Sequence, residues 1–240
     1  MKSISLIIPA YNEEKNIIYT IDRLYNFLQN NKIDYEEIII TEDGSSDSTA
    51  EVIRKNIPNY KGLRLITRNK NVGRGFALTN ALKEAKGEYA LYMDVDLATD
   101  LHHIKDAIAH LNNGSSIAVG SRYLASGTAK RTFKRAFFSK VFNLATRIIL
   151  NSDITDHQCG FKAFKRSDII PLLDKLRDMR WFWDTEIIIK AKRAGLKVTE
   201  FPVVWEEQQA TNVRIARDSG RMFSGILKVW LELNRPGFKR

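Results

Sequence analysis

Over the first 120 positions, apolar residues come in short, nearly unbroken runs separated by polar stretches that carry glycine, asparagine or aspartate. The runs 4–8, 38–41, 63–67, 89–93 and 117–119 have the length and flanking turn residues of strands buried on both faces. Helical periodicity fills the segments between them, so this region predicts βαβ units and a mostly parallel sheet flanked by helices. A helix starting near Asp47 carries Ser48 and, three residues on, Glu51, a capping-box spacing. Asn12 is placed to cap a helix whose first turn is acidic at Glu13 and Glu14. From about Ala129 the pattern changes to long helices with one late strand at 198–205. No repeat or low-complexity linker interrupts the 240 residues, and a single α/β domain is the expectation.

Composition narrows the class. Hydrophobic residues make up 44% and charged residues 28%, which excludes a disordered tail, a collagen-like repeat and an intrinsic channel. A chain of this length buries roughly 70% of its unfolded surface without staples. The lone Cys159 allows no internal disulfide and no multi-cysteine metal site, which fits the cytosol. The N-terminal run is too short for a signal peptide. No run of about 18 apolar residues occurs, so the expected membrane contact is peripheral, or lies in a part of the gene product outside these residues. The net charge is +10, and residues 120–166 hold ten Lys/Arg against two Asp/Glu, a local net of +8. An anionic partner is expected there: nucleic acid, an anionic lipid surface or a phosphorylated substrate.

In open parallel sheets, ligands bind beyond the carboxyl ends of the strands, and those ends carry the chemistry. The first reads Pro9-Ala10-Tyr11-Asn12-Glu13-Glu14. The second, Glu42-Asp43-Gly44-Ser45, sets a carboxylate beside a glycine turn, where it can accept the imide N–H of uracil or guanine. Residues 71–75 (Asn-Val-Gly-Arg-Gly) open the next helix, so that the backbone N–H groups around Gly73 and the Arg74 side chain can face a diphosphate. The fourth strand runs into Asp94-Val95-Asp96, whose period-2 spacing puts both carboxylates on one side. Such a pair repels unless a cation sits between, and a hard divalent ion completed by substrate phosphates is the usual arrangement for Mg²⁺.

Taken in order, these strings resemble the family 2, GT-A-fold glycosyltransferases, inverting enzymes with nucleotide-sugar donors and a Rossmann-like fold. In the second half, Gly120-Ser121-Arg122, residues 156–162 (Asp-His-Gln-Cys-Gly-Phe-Lys) and residues 180–186 (Arg-Trp-Phe-Trp-Asp-Thr-Glu) look like the dolichyl-phosphate glucosyltransferases of that family, with the mannose synthases closely similar. The sequence departs at Glu42, where the family often has Asp, and at Leu97. The resemblance implies a donor half, 1–120, and an acceptor half, 121–240. Pro9, Tyr11, Asn12, Glu13, Asp43 and Gly73 would bind the nucleotide-sugar, with Arg74 at the diphosphate. Asp94 and Asp96 would hold Mg²⁺ or Mn²⁺, and Arg122, Arg135 and Ser139 would take the acceptor phosphate. Asp184 stands where relatives with hydroxyl acceptors place a catalytic base, with Glu186 beside it. The implied reaction moves glucose from UDP-glucose to dolichyl (polyprenyl) phosphate at the cytosolic face of a membrane. GDP-mannose and UDP-N-acetylglucosamine are the alternative donors.

The acceptor chemistry has independent support. A phosphate monoester has a second pKa near 6, so it is largely a dianion at neutral pH and needs neutralisation rather than a general base. On a helix, Phe133, Phe137, Phe138, Val141, Phe142, Leu144, Ala145, Ile148 and Ile149 fill roughly half the circumference. Arg135, Lys140 and Arg147 flank that face and Lys134 falls within it, a pattern suited to a lipid interface; residues 222–233 are a second amphipathic stretch. A basic nucleic-acid-binding protein is the reading from another class. It is disfavoured because the aromatics accompany aliphatic residues at helical spacing and no nucleic-acid-binding motif is present.

Overall fold

The computed structural model describes residues 3–124, 128–130, 133–206 and 215–234, with backbone alone for 128–130, 133–135 and 215–219. Parallel strands β1 (Ile4–Ala10), β2 (Glu37–Glu42) and β3 (Leu63–Ile66) run outward in chain order, and β4 (Tyr89–Met93) returns to the far side of β1. That reversal opens a crevice beyond the ends of β1 and β4. Strands β5 (Ile117–Ser121), β7 (Phe161–Lys165) and β8 (Val198–Pro202) complete a seven-stranded sheet of order β3-β2-β1-β4-β7-β5-β8, with β7 antiparallel to both neighbours. A small second sheet pairs β6 (Thr128–Lys130) with β9 (Val204–Glu206).

Alternation along β1 sends Ile4, Leu6 and Ile8 to one layer and Ile7 to the other. The first layer is α1 (Ile17–Asn30), α2 (Thr49–Asn56) and α4 (His103–Asn112); the second is α3 (Arg74–Glu84), α6 (Arg166–Leu173) and α7 (Trp183–Arg193). Helices α5 (Phe133–Leu150) and α8 (Ile215–Leu233) meet α7 through Phe142, Leu150, Phe182, Ile189, Ile226 and Val229.

Four expectations are corrected. Strand β7 was not foreseen, because Lys162 at its centre interrupts an otherwise apolar run. The late strand divides after Pro202, which lacks an N–H to continue the ladder: β8 pairs with β5 and β9 with β6. Asn12 does not cap α1, which begins five residues later at Ile17; at φ 56° it turns away, and its Oδ1 accepts the Ser46 N–H at 2.8 Å. The capping box at α2 is not formed. Asp47 Oδ1 accepts the Thr49 N–H at 3.0 Å, while Glu51 pairs with Lys55.

Helix α5 has the bounds its periodicity predicts, and most of its apolar arc faces outward, as expected. It buries Asn143, Thr146, Phe142 and Leu150 and exposes Phe137, Phe138, Val141, Leu144, Ile148 and Ile149. Phe142 thus leaves the expected outer face and joins the core. Helix α8 adds exposed Leu227, Trp230 and Leu231 while burying Ile226 and Val229, so it too presents apolar groups outward. No helix among the described residues is long and apolar enough to cross a membrane.

Candidate active site

The loops beyond the strand ends are tied to one another by a continuous series of side-chain contacts. Asn12 N–H donates to Ser45 Oγ (2.9 Å), and Glu13 N–H to Thr49 Oγ1 (2.8 Å), joining the loops after β1 and β2. Pro9 is half-buried in β1, and the Tyr11 ring stands exposed beside this junction. Asp43 then reaches the start of α3, accepting the N–H groups of Val72 (3.1 Å) and Gly73 (2.7 Å). Burial nonetheless pushes its pKa up, these bonds offsetting part of the cost. The Phe76 N–H goes to the Met179 carbonyl. The expectation that the N–H groups of Val72 and Gly73 face a diphosphate is therefore corrected: a buried carboxylate takes them, and the Arg74 side chain is the group left facing the site. Gly73 is at φ 135°, and a side chain there would also strike the Met179 carbonyl.

Arg74 Nη2 meets Asp94 Oδ1 at 2.5 Å and Nη1 meets Asp184 Oδ2 at 2.6 Å. Burial works against its charge, and the two carboxylates outweigh that, raising its pKa well above the ordinary value. Asp94 directly follows β4, its N–H on the Gly160 carbonyl (3.0 Å). Asp96 accepts the Ala98 N–H (3.1 Å) across a turn in which Leu97 takes φ 48°, a strained value for leucine. Burial first, then the neighbouring charges of Asp94 and Glu13, push the Asp96 pKa up to about 6. Two carboxylates held in mutual repulsion fit a divalent cation. Among the described residues no cluster of three or more His, Cys, Asp or Glu is poised to hold a metal. Asp94 and Asp96 would hold a cation, with water and substrate oxygens completing its shell.

The loop 156–160 links this acidic edge to the basic segment. Its last residue, Gly160, lies so close to the Asp94 carboxylate that a methyl group would overlap it. Its first, Asp156, is fully buried and takes Arg122 through both oxygens, Nε to Oδ2 at 2.7 Å and Nη2 to Oδ1 at 2.9 Å. Burial disfavours the Arg122 charge, and Asp156 more than restores it. Next to it, Tyr123 donates its hydroxyl to Ser139 of α5 at 2.9 Å. His157, its pKa lowered to about 4 by burial and then by Lys162, uses its backbone N–H to reach Asn143 of α5. Arg135 lies on α5 with its side chain outside the described residues.

Asp184, at the start of α7, has no oxygen to spare for a proton. Oδ1 accepts from Lys162 Nζ (2.8 Å) and from the Tyr92 hydroxyl, and Oδ2 from Arg74. Burial would raise its pKa, but Lys162 and Arg74 outweigh that and hold it below the usual value. Glu186 does not face the site; its carboxylate accepts the N–H groups of Arg177 and Asp178 and pairs with Lys190 at 2.8 Å. Sequence reasoning missed Lys162 and Tyr92, and the available signal was a lysine set between phenylalanines on a strand-length run.

Gly160→Ala is expected to cut transfer by about 100-fold, because the added methyl displaces Asp94 by an ångström or more. Far-ultraviolet circular dichroism should be unchanged, since Asp94 can yield toward solvent.

A doubly wound sheet with an acidic edge at the β1/β4 switch point and the Arg122–Asp156 pair one loop away defines an enzyme of the GT-A glycosyltransferase class. Residues 5–173 match "Glycosyl transferase family 2", and the chain belongs to that family. It is 39% identical over 243 residues to glycosyltransferase AglD of Haloferax volcanii, covering 99% of this chain and 38% of that protein. It is 34% identical to dolichyl-phosphate beta-glucosyltransferase ALG5A of Trichomonas vaginalis, covering 96% of this chain and 71% of the relative. Among solved structures, glucosyl-3-phosphoglycerate synthase from Mycobacterium tuberculosis, in complex with Mn²⁺, UDP-glucose and phosphoglyceric acid, superimposes with a TM-score of 0.72 over 95% of this chain and 80% of that one. At 16% identity that likeness is one of fold.

Proposed function

We propose that the chain transfers glucose from UDP-glucose to dolichyl (polyprenyl) phosphate at a membrane surface, with inversion at the anomeric carbon. The observation that carries this reading is α5. It turns most of its apolar side outward, and its Ser139 meets the hydroxyl of Tyr123, the chain neighbour of Arg122, which is one short loop from Asp94. A phosphate on a long apolar chain meets both needs at once: its lipid follows the exposed face and its headgroup reaches the basic segment. The 31–34% identity to dolichyl-phosphate beta-glucosyltransferases supports the same acceptor and sugar.

Residues 1–120 are assigned to the donor and 121–240 to the acceptor. Pro9, Tyr11, Asn12, Glu13, Asp43 and Gly73 line the nucleoside end and Arg74 takes the diphosphate. Asp94 and Asp96 would hold Mg²⁺ or Mn²⁺, which when bound would supply positive charge for the departing diphosphate. Arg122, Ser139 and Arg135 receive the acceptor phosphate. One of its anionic oxygens attacks the anomeric carbon, and the bond from that carbon to the nucleoside diphosphate breaks, the diphosphate leaving with the electron pair. No proton needs removal, consistent with an Asp184 that has no free oxygen. One nucleophile in line with one leaving group inverts the centre, so an α-linked donor yields a β-linked product. The outward faces of α5 and α8 rest on the cytosolic leaflet.

The test is a set of donors radiolabelled in the sugar, UDP-glucose, GDP-mannose and UDP-N-acetylglucosamine, each incubated with dolichyl phosphate and Mg²⁺ before lipid extraction. UDP-glucose is expected to label the lipid, with the β-anomer seen by NMR. Label from GDP-mannose alone would replace the donor, and an α-linked product would overturn the single displacement.

A further inference from the structure

Lys162 is fully buried in a strand that otherwise contributes Phe161, Ala163 and Phe164 to the core. Its ammonium has three donors, and each has an acceptor: the Cys159 carbonyl at 2.6 Å, Asp184 Oδ1 at 2.8 Å and the Tyr92 hydroxyl oxygen at 3.1 Å. Burying an ammonium costs several kcal/mol unless its contacts repay it, and packing alone would be served by methionine. The charge therefore needs another account.

Asp184 supplies one. A buried carboxylate facing a single arginine takes its guanidinium through both oxygens, the fork geometry that Asp156 shows with Arg122 in this same chain. At Asp184 that geometry is blocked, because Lys162 and Tyr92 already fill Oδ1. Arg74 is left with Oδ2 alone, gives it Nη1, and extends Nη2 to Asp94 at the rim of the site. Charge thus alternates from the core outward through Lys162, Asp184, Arg74 and Asp94. Stacking near Tyr92 (5.1 Å) and Trp181 (5.5 Å) keeps the guanidinium plane in place.

We infer that Lys162 is a positioning residue for donor binding: by occupying one oxygen of Asp184 it limits Arg74 to a one-armed anchor and leaves the second arm for a diphosphate oxygen of the donor. In this structure that arm rests on Asp94. Released from Asp94, that arm would be free for the phosphates while the other stays on Asp184. The inference rests on the donor reading above, in which Arg74 serves the diphosphate.

The test compares wild type, Lys162→Met and the double variant Lys162→Met/Asp184→Asn. The double variant removes a buried pair of zero net charge at nearly constant volume, so it folds even if Lys162→Met does not, and it leaves the total charge of the site unchanged. UDP affinity is measured calorimetrically with Mg²⁺, alongside the KM for dolichyl phosphate and thermal unfolding. With Lys162→Met, Arg74 can take both oxygens of Asp184, and losing its charge-assisted contact to the diphosphate is expected to weaken UDP binding about tenfold; the amide of the double variant offers Arg74 a single oxygen, so there UDP binding should stay near the wild-type value. The acceptor KM should stay at the wild-type value. In an Arg74→Met background, Lys162→Met should cause no further loss. A Lys162→Met protein that folds and binds UDP as the wild type does, or a double variant that loses UDP affinity about tenfold, would overturn the inference. So would an equal loss in acceptor use, or a loss that adds to that of Arg74→Met. If wild type binds GDP and not UDP, the donor reading fails, and the same comparison made with GDP still decides the role of Lys162.

Discussion

Asp96→Asn is expected to abolish transfer and, without divalent cation, to make the protein more stable. The Asp96 carboxyl has a pKa of about 6 in the folded protein against an ordinary 3.8, through burial and then the charges of Asp94 and Glu13. Between those two values the folded state holds the proton that the unfolded state releases, so stability falls as pH rises through this window, and the penalty is complete above pH 6. Asparagine removes it. Allowing for the part-exposed site, the gain at pH 7.5 is on the order of 1 kcal/mol, or about 2–4 °C in Tm. The gain should shrink at pH 5, where the wild-type carboxyl is mostly protonated. Calorimetry in EDTA and in Mg²⁺ makes the check: Mg²⁺ should raise the Tm of wild type and leave the variant unmoved, and excess EDTA should stop wild-type transfer. Full turnover in EDTA, or by Asp96→Asn, would remove the metal from the proposed reaction.

Replacing Phe137, Leu144 and Ile148 together by serine is expected to detach the protein from lipid vesicles without unfolding it. All three are exposed, Ile148 at 71%, so the fold loses little when they are truncated. Inserted into lipid, each would contribute about 1 kcal/mol, half or less of the value for complete burial. The sum of about 3 kcal/mol corresponds to a fall of roughly 100-fold in partitioning. Transfer to dolichyl phosphate embedded in vesicles should fall in step while UDP affinity holds. Lys140 and Arg147, both exposed beside that face, would add about 1 kcal/mol each on anionic surfaces. Their joint replacement by glutamine should therefore matter on acidic vesicles and not on neutral ones. Flotation of wild type and both variants reads the outcome, and unchanged retention of the triple variant would show that α5 does not meet the bilayer.

Strands 1 to 5 were legible because a parallel sheet covered on both sides needs uninterrupted apolar runs, and the acidic and basic strings at their ends follow from where such runs stop. Helix α5 was legible in its bounds, since periodicity reports length well, but less so in its orientation. Nine apolar positions on one arc show that a face exists, and only the packing of Asn143, Thr146 and Phe142 against the rest decides that most of it turns outward. At Asn12 and Ser48 the local rule identified polar residues suited to a helix start. The loops instead bond to each other, the Asn12 side chain accepting the Ser46 N–H and the Glu14 carboxylate accepting the Ser48 N–H, because neighbouring strand ends bring the two loops within hydrogen-bonding distance.

By itself, then, the sequence determined the alternating sheet, the family, the presence of Asp94 and Asp96 at a strand end, and the concentration of positive charge in 120–166. All of these depend on residues near one another along the chain, where spacing is nearly equivalent to geometry. Tertiary structure decided which charges meet: Arg122 with Asp156, 34 residues apart; Arg74 with Asp184, 110 apart; Lys162 with Asp184, 22 apart. A buried lysine in a strand is indistinguishable from an interruption until its carboxylate is found, and that carboxylate comes from a helix later in the chain. Burial makes such pairs obligatory, because an unpaired charge in the core is too costly to keep, but it does not mark the partner anywhere in the local pattern.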